Sequence, residues 1–197
     1  MSSKIKLKTG AIPINRFAIN MNDLNDLGHL INRNDLVNIK QNIITEISNG
    51  PENSIYFYDF TNIKAINSSG IDEVLEQVID YIITNEKTKY LYVTNLNKDL
   101  EHAFNISRSL IASNKLLVAK VDNSYEFLGS LSGTLTEILN EVYKQKSVTA
   151  RDLSDQLDKQ LNLISTHLNN LYKRRLVIKV EDSLIEGGRQ YIYKSLF

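Results

Sequence analysis

Apolar residues recur at two different periods along this chain, and each change of period marks an element. Ile12, Ile14, Phe17 and Ile19 alternate with polar residues, with one slip, and predict a strand that Pro13 confines to a sheet edge or a strand start. From Asn34 to Ile47 the spacing becomes three and four, at Leu36, Ile39, Ile43 and Ile47. That predicts an amphipathic helix begun by Asn34 or Asp35 and ended at Asn49-Gly50-Pro51. Ser54 to Phe60 is aromatic and β-branched with a charge only at Asp59, as suits a central strand covered on both faces. A polar turn, Asn67-Ser68-Ser69-Gly70, precedes a helix with Ile71, Val74, Leu75, Val78, Ile79 and Ile82 on one side. Tyr90 to Leu96 and Leu116 to Val121 read as strands, and Leu100 to Ile111 as a helix. Strands alternating with helices imply a sheet with parallel pairing.

The pattern continues beyond Ser130. Asn123-Ser124 and Gly129 to Gly133 are turn-rich and predict a boundary, with units 1–130 and 131–197. Ala150, Leu153 and Leu157 then share one helix face, and Asp158-Lys159-Gln160 makes a polar turn. Leu161, Ile164, Leu168 and Leu171 form a second apolar stripe. Thr149 with Asp152 three residues on has the form of a capping box. After Arg175 the period falls to two, at Leu176, Ile178 and Val180. Gly187-Gly188 signals a turn before the β-rich run Arg189 to Tyr193. Helix, tight turn, helix and hairpin resemble the winged helix-turn-helix repressors of bacteria in order, length and apolar positions. The resemblance implies binding to double-stranded DNA, usually as a homodimer reading two half-sites.

The second of those helices carries Asn162, Ser165, Thr166, Asn169 and Lys173 opposite its leucines, with no acid among them. Asn can pair with adenine, and Ser and Thr can bond bases or phosphate. Lys173, Arg174 and Arg175 at its end, Lys159 at its start and Arg189 in the hairpin are the expected phosphate contacts. Against this stand Glu181, Asp182 and Glu186 in the hairpin, and Thr166 where the resembling proteins often have Arg or Lys. Both favour the use of such a fold for protein contact or dimerisation.

Composition narrows the classes. The chain has 23 basic and 23 acidic residues and no net charge, so no general attraction to nucleic acid or membrane is expected. Residues before Ser130 hold 13 basic and 15 acidic groups, leaving 10 and 8 after it, a slight basic tilt. Without cysteine there are no disulfides, thiol chemistry or cysteine zinc sites. The first ten residues show no signal-peptide pattern, and no run approaches the ~20 apolar residues of a membrane span. A cytoplasmic protein without membrane contact is the expectation.

Asp59-Phe60 followed by Asn67-Ser68-Ser69-Gly70-Ile71-Asp72-Glu73 resembles the STAS fold of anti-sigma-factor antagonists. It resembles more the STAS-like domains of unassigned function, and Asn32-Arg33-Asn34 fits that group too. The resemblance covers roughly Ile12 to Val121 and implies an α/β fold, a mixed sheet with helices. In partner-switching STAS proteins the turn is Asp-Ser-Ser-Gly, and a kinase that is also the binding partner phosphorylates the second serine. Ser69 stands at that position. Asn67 replaces the aspartate, and Asp72-Glu73 replaces small apolar residues and would repel a phosphate. The alternative role for Ser68 or Ser69 is a helix cap.

Little points to catalysis. His29, His102 and His167 are scattered, none with another His or a Cys at metal spacing, and nucleophile, phosphate-loop and dinucleotide motifs are missing. Asp72 and Glu73 point in different directions on a helix, which suits a surface or capping role better than acid–base chemistry. No enzyme activity, cofactor or metal is expected. Two readings remain. One is a DNA-binding transcriptional regulator whose STAS-like domain senses a signal or a protein partner. The other is a signalling adaptor of a partner-switching, kinase-type ATPase, its winged helix serving protein contact.

Overall fold

The computed structural model describes residues 14–19, 28–99, 101–183 and 189–197, the side chains of residues 183 and 189 excepted. Pro13, Leu100, Glu186 and the Gly187-Gly188 turn lie outside the described residues.

The fold is α/β. Among the described residues five strands form a mixed sheet: β1 (Asn15–Ile19), β3 (Ser54–Asp59), β5 (Lys89–Thr94), β6 (Leu116–Val121) and β7 (Ser124–Gly129), in that spatial order. The first four run parallel, and β7 returns antiparallel to β6 through a turn at Asp122. A short parallel pair, β2 (His29–Leu30) with β4 (Ala65–Ile66), stands apart. Among the described residues β1 is at the sheet edge, in agreement with the sequence reading. The strand β7 does not: its turn-rich flanks read as a linker, yet Tyr125, Phe127 and the run to Gly129 pair fully with β6.

Strand alternation divides the sheet's side chains between two cores. Tyr56, Tyr58, Leu91, Val93, Leu117 and Ala119 point to one face, under α1 (Arg33–Asn49), α2 (Ser68–Ile71), α3 (Gln77–Asn85) and α4 (His102–Ala112). One π-type turn, Asp72–Glu76, joins α2 to α3. Ile55, Tyr90, Tyr92, Leu116 and Val118 point to the other face. Both faces are covered, which is why these strands read as continuous apolar runs.

The second face is covered by the C-terminal unit. It comprises α5 (Gly133–Gln145), β8 (Ser147–Thr149), α6 (Ala150–Leu157), α7 (Leu161–Lys173), β9 (Ile178–Ser183) and β10 (Arg189–Lys194). The strands form a small antiparallel sheet in the order β8-β10-β9. Leu153, Ile164, Leu168 and Leu171 share one buried cluster with Ile55, Tyr90, Tyr92, Leu116 and Val118. The core is therefore continuous across Ser130. Aromatic rings line the seam: Phe57 stacks on Tyr92, Tyr92 meets Phe197, and Phe197 and Phe127 both pack edge-on against Tyr143. The Tyr143 hydroxyl donates to the Leu176 carbonyl at 3.0 Å, which satisfies the one polar atom this buried ring carries.

Candidate nucleic-acid interface

The outward side of α7 is set by its neighbours. Thr149 caps α6: its Oγ accepts from the Asp152 N–H at 3.2 Å, and its own N–H donates to Asp152 Oδ2 at 3.0 Å. The capping box read in the sequence is present. Asp158, in the left-handed region at φ 51°, ends α6. The Ser154 hydroxyl then donates to the Lys159 carbonyl at 2.6 Å and fixes the turn between the two helices. Ile164, Leu168 and Leu171 are fully buried and set the rotation of α7 about its own axis.

That rotation brings most of the polar candidates together. Asn162, Thr166 and Lys173 are exposed, and Ser165 and Asn169 are half-buried. The Thr166 hydroxyl donates to the Asn162 carbonyl at 2.8 Å. No carboxylate lies anywhere in α7, so its outward side offers amides, hydroxyls and one cation. Leu161 and Leu163, each 42% exposed, flank Asn162.

The basic residues do not all share this side. Arg175, expected among the phosphate contacts, is turned inward: its Nε donates to the Glu86 carbonyl at 3.0 Å and its Nη1 to the Tyr172 carbonyl at 3.0 Å. Arg174 lines a small crevice with Ile79, Ile82 and Ile83 of α3. Lys159 pairs with Glu137 at 2.6 Å. Of the three cations at the end of α7, Lys173 is the exposed one. Arg189 stands at the start of β10, and its side chain lies outside the described residues.

Beside this side is a feature that sequence reasoning did not find. Lys179 of β9 sits among Tyr191, Tyr172 and Tyr193, its Nζ 3.9, 5.5 and 5.8 Å from the three ring centroids. Burial lowers its pKa from the usual lysine value. The ring faces supply a compensating attraction for the cation. The same Nζ donates to Asn169 Oδ1 at 3.2 Å. The available signal was the hairpin register, in which Lys179 faces Tyr193 directly and Tyr191 diagonally.

The serine turn requires a correction. Neither Ser68 nor Ser69 caps its helix. Asn67 does: its Oδ1 accepts from the Gly70 N–H at 2.9 Å, while its Nδ2 donates to the Ile31 carbonyl at 3.1 Å. With extended backbone at Asn67, the amide reaches the third helical N–H, so the serines fall on the first two helical positions. Gly70 is required where it stands, because a Cβ there would lie 2.1 Å from the Leu30 carbonyl oxygen. Glu73 is not a surface residue either. It is 5% exposed and pairs with Lys40 at 2.6 Å, and Asp72 pairs with Arg33 at 2.8 Å. Both carboxylates expected to repel a phosphate already face cations. An open cavity of about 500 Å³ lies between this turn and α4, lined by Asn67, Ser68, Ile71, Asn105, Arg108 and Ser109.

Among the described residues no group of His, Asp and Glu could hold a metal ion, and no helix is long and apolar enough to cross a membrane. No family model matches the chain, and no curated protein matches it.

Proposed function

We propose that this chain is a transcriptional regulator whose C-terminal unit is a winged helix-turn-helix that binds double-stranded DNA through α7. Its N-terminal unit is a STAS-like domain that receives a signal or a partner. The observation that carries the reading is the outward side of α7. Asn162, Ser165, Thr166, Asn169 and Lys173 lie together there without a carboxylate, on a helix fixed by a capped neighbour and a buried leucine stripe. Such a surface suits the major groove, where amides and hydroxyls match base edges and a cation meets phosphate. A dimer of such units would read two half-sites.

A second reading has its own support. Leu161 and Leu163 are exposed on the same helix, and Arg174 and Arg175 serve the seam, leaving little positive charge outside. Those features suit a protein-contact surface, in a signalling adaptor that engages a kinase-type ATPase near the Ser68 cavity.

A mobility-shift titration of the full chain separates the two readings. Duplex from upstream of the protein's own gene and a scrambled duplex are compared at low and at moderate salt. Tighter binding to the upstream duplex, fading with salt, is expected from the first reading. Absence of binding to either duplex at low salt, where the electrostatic attraction is strongest, rejects it in favour of the second.

A further inference from the structure

From the contact between Lys179 and Asn169 we infer that Asn169 reads guanine rather than adenine, with Lys179 as the positioning residue that sets this preference. The inference rests on the proposed DNA reading and deepens it.

An asparagine amide has a carbonyl oxygen that accepts and an amino group that donates two hydrogens. Pairing with adenine uses both, because adenine shows an acceptor at N7 beside a donor at N6. An ammonium can only donate, so the atom of Asn169 that faces Lys179 Nζ at 3.2 Å is its oxygen. That bond takes one of the oxygen's two lone pairs and sets a cation beside the other, where it repels an approaching donor such as adenine N6; the amino group has no hydrogen-bond partner among the described residues. A free amino group beside a cation matches guanine, whose N7 and O6 are adjacent acceptors.

Lys179 is held in place for this. Its ammonium lies over the Tyr191 ring and near those of Tyr172 and Tyr193, so moving it away from Asn169 gives up contacts to three rings on two elements. Tyr172 lies on α7 itself, and Tyr191 and Tyr193 on β10. The cage therefore ties the helix to the hairpin as well as fixing one amide. Preference at a single base pair is set in this way by a lysine that need not touch DNA.

The test is selection of bound sites from a random duplex pool by the full chain, as wild type, Asn169→Ala, Lys179→Met and Lys179→Arg. One selected position should lose its preference in Asn169→Ala, and in the wild type that position should be guanine. Lys179→Met keeps a long apolar chain against the rings but frees the Asn169 carbonyl. It should lower the guanine-over-adenine preference there by roughly ten-fold, with general affinity for duplex retained as evidence of folding. Lys179→Arg keeps a donor and a cation over the rings and should retain guanine. Adenine at that position in the wild type, or an unchanged preference in Lys179→Met, overturns the inference while leaving DNA binding intact. A wild type that selects no motif overturns the DNA reading and this inference together.

Discussion

The guanidinium of Arg175 bonds the main-chain carbonyl of Glu86, 89 residues earlier, with Nε and O 3.0 Å apart. The contact joins the end of α7 to the end of α3. Arg175 itself sits at φ 60°, a left-handed position that few side chains adopt. Arg175→Ala should cost the full chain about 1.5–3 kcal/mol, the usual range for a hydrogen bond to a charged group. Denaturant titration checks this. In the fragment Thr134 to Phe197, which lacks Glu86 but keeps the Tyr172 carbonyl, the same change should cost clearly less. A large loss there too would mean that Arg175 acts within its own unit.

That fragment carries a second prediction. It holds Leu153, Ile164, Leu168 and Leu171 and should unfold cooperatively, but at lower denaturant than the full chain, because it loses the packing of Ile55, Tyr90, Tyr92, Leu116 and Val118. Fluorescence and far-ultraviolet dichroism against denaturant decide it. A fragment without any transition would show that the continuous core cannot be divided at Ser130.

Replacing Asn67 by Ala should cost about 0.5–2 kcal/mol, the range for loss of a helix cap. Ser68→Ala should be nearly silent, since the Ser68 side chain is exposed and the capping is done one residue earlier. Thermal unfolding of the two variants side by side checks the assignment, and equal losses would reject it.

His102 is buried with neither ring nitrogen hydrogen-bonded among the described residues, and burial lowers its pKa from the ordinary value near 6.5. The unfolded chain takes up a proton more readily than the folded one. Stability from this residue is therefore complete above about pH 6.5 and falls as pH drops below it, by at most ~1.4 kcal/mol per pH unit. His102→Leu should flatten that part of a stability profile measured between pH 7.5 and 5.

If α7 meets DNA, its cations should behave unequally. Lys173→Ala should reduce the salt slope of binding by about one. Arg175→Ala should leave the slope unchanged, because that guanidinium is engaged with Glu86 and Tyr172. Titrations at three salt concentrations separate the two, and a common change in slope would contradict the placement of Arg175.

The sequence reading succeeded where the determining interactions are local. The stripes Leu36 to Ile47 and Ile164 to Leu171, the Thr149–Asp152 box and the Asp158 turn all act within one or two helical turns. It lost β7 because Asn123 and Gly129 outweighed the alternation of Tyr125 and Phe127, whose meaning depends on pairing with β6. It placed the cap on a serine because Ser and Asn compete for the same position, and only the backbone path decides between them. The role of Arg175 depends on a carbonyl 89 residues away, and no local pattern records such a partner.

Alternation within the sheet has a mechanical corollary. Ile55 packs under the C-terminal unit while Tyr56, the next residue, packs under the helices on the opposite side, and Tyr90 and Leu91 repeat the arrangement on β5. A shift of one strand along its length would displace both layers at once, with no intervening joint to absorb it. A stimulus on the helical side would reach α7 as a small translation of a common slab rather than as the swing of one lobe against another.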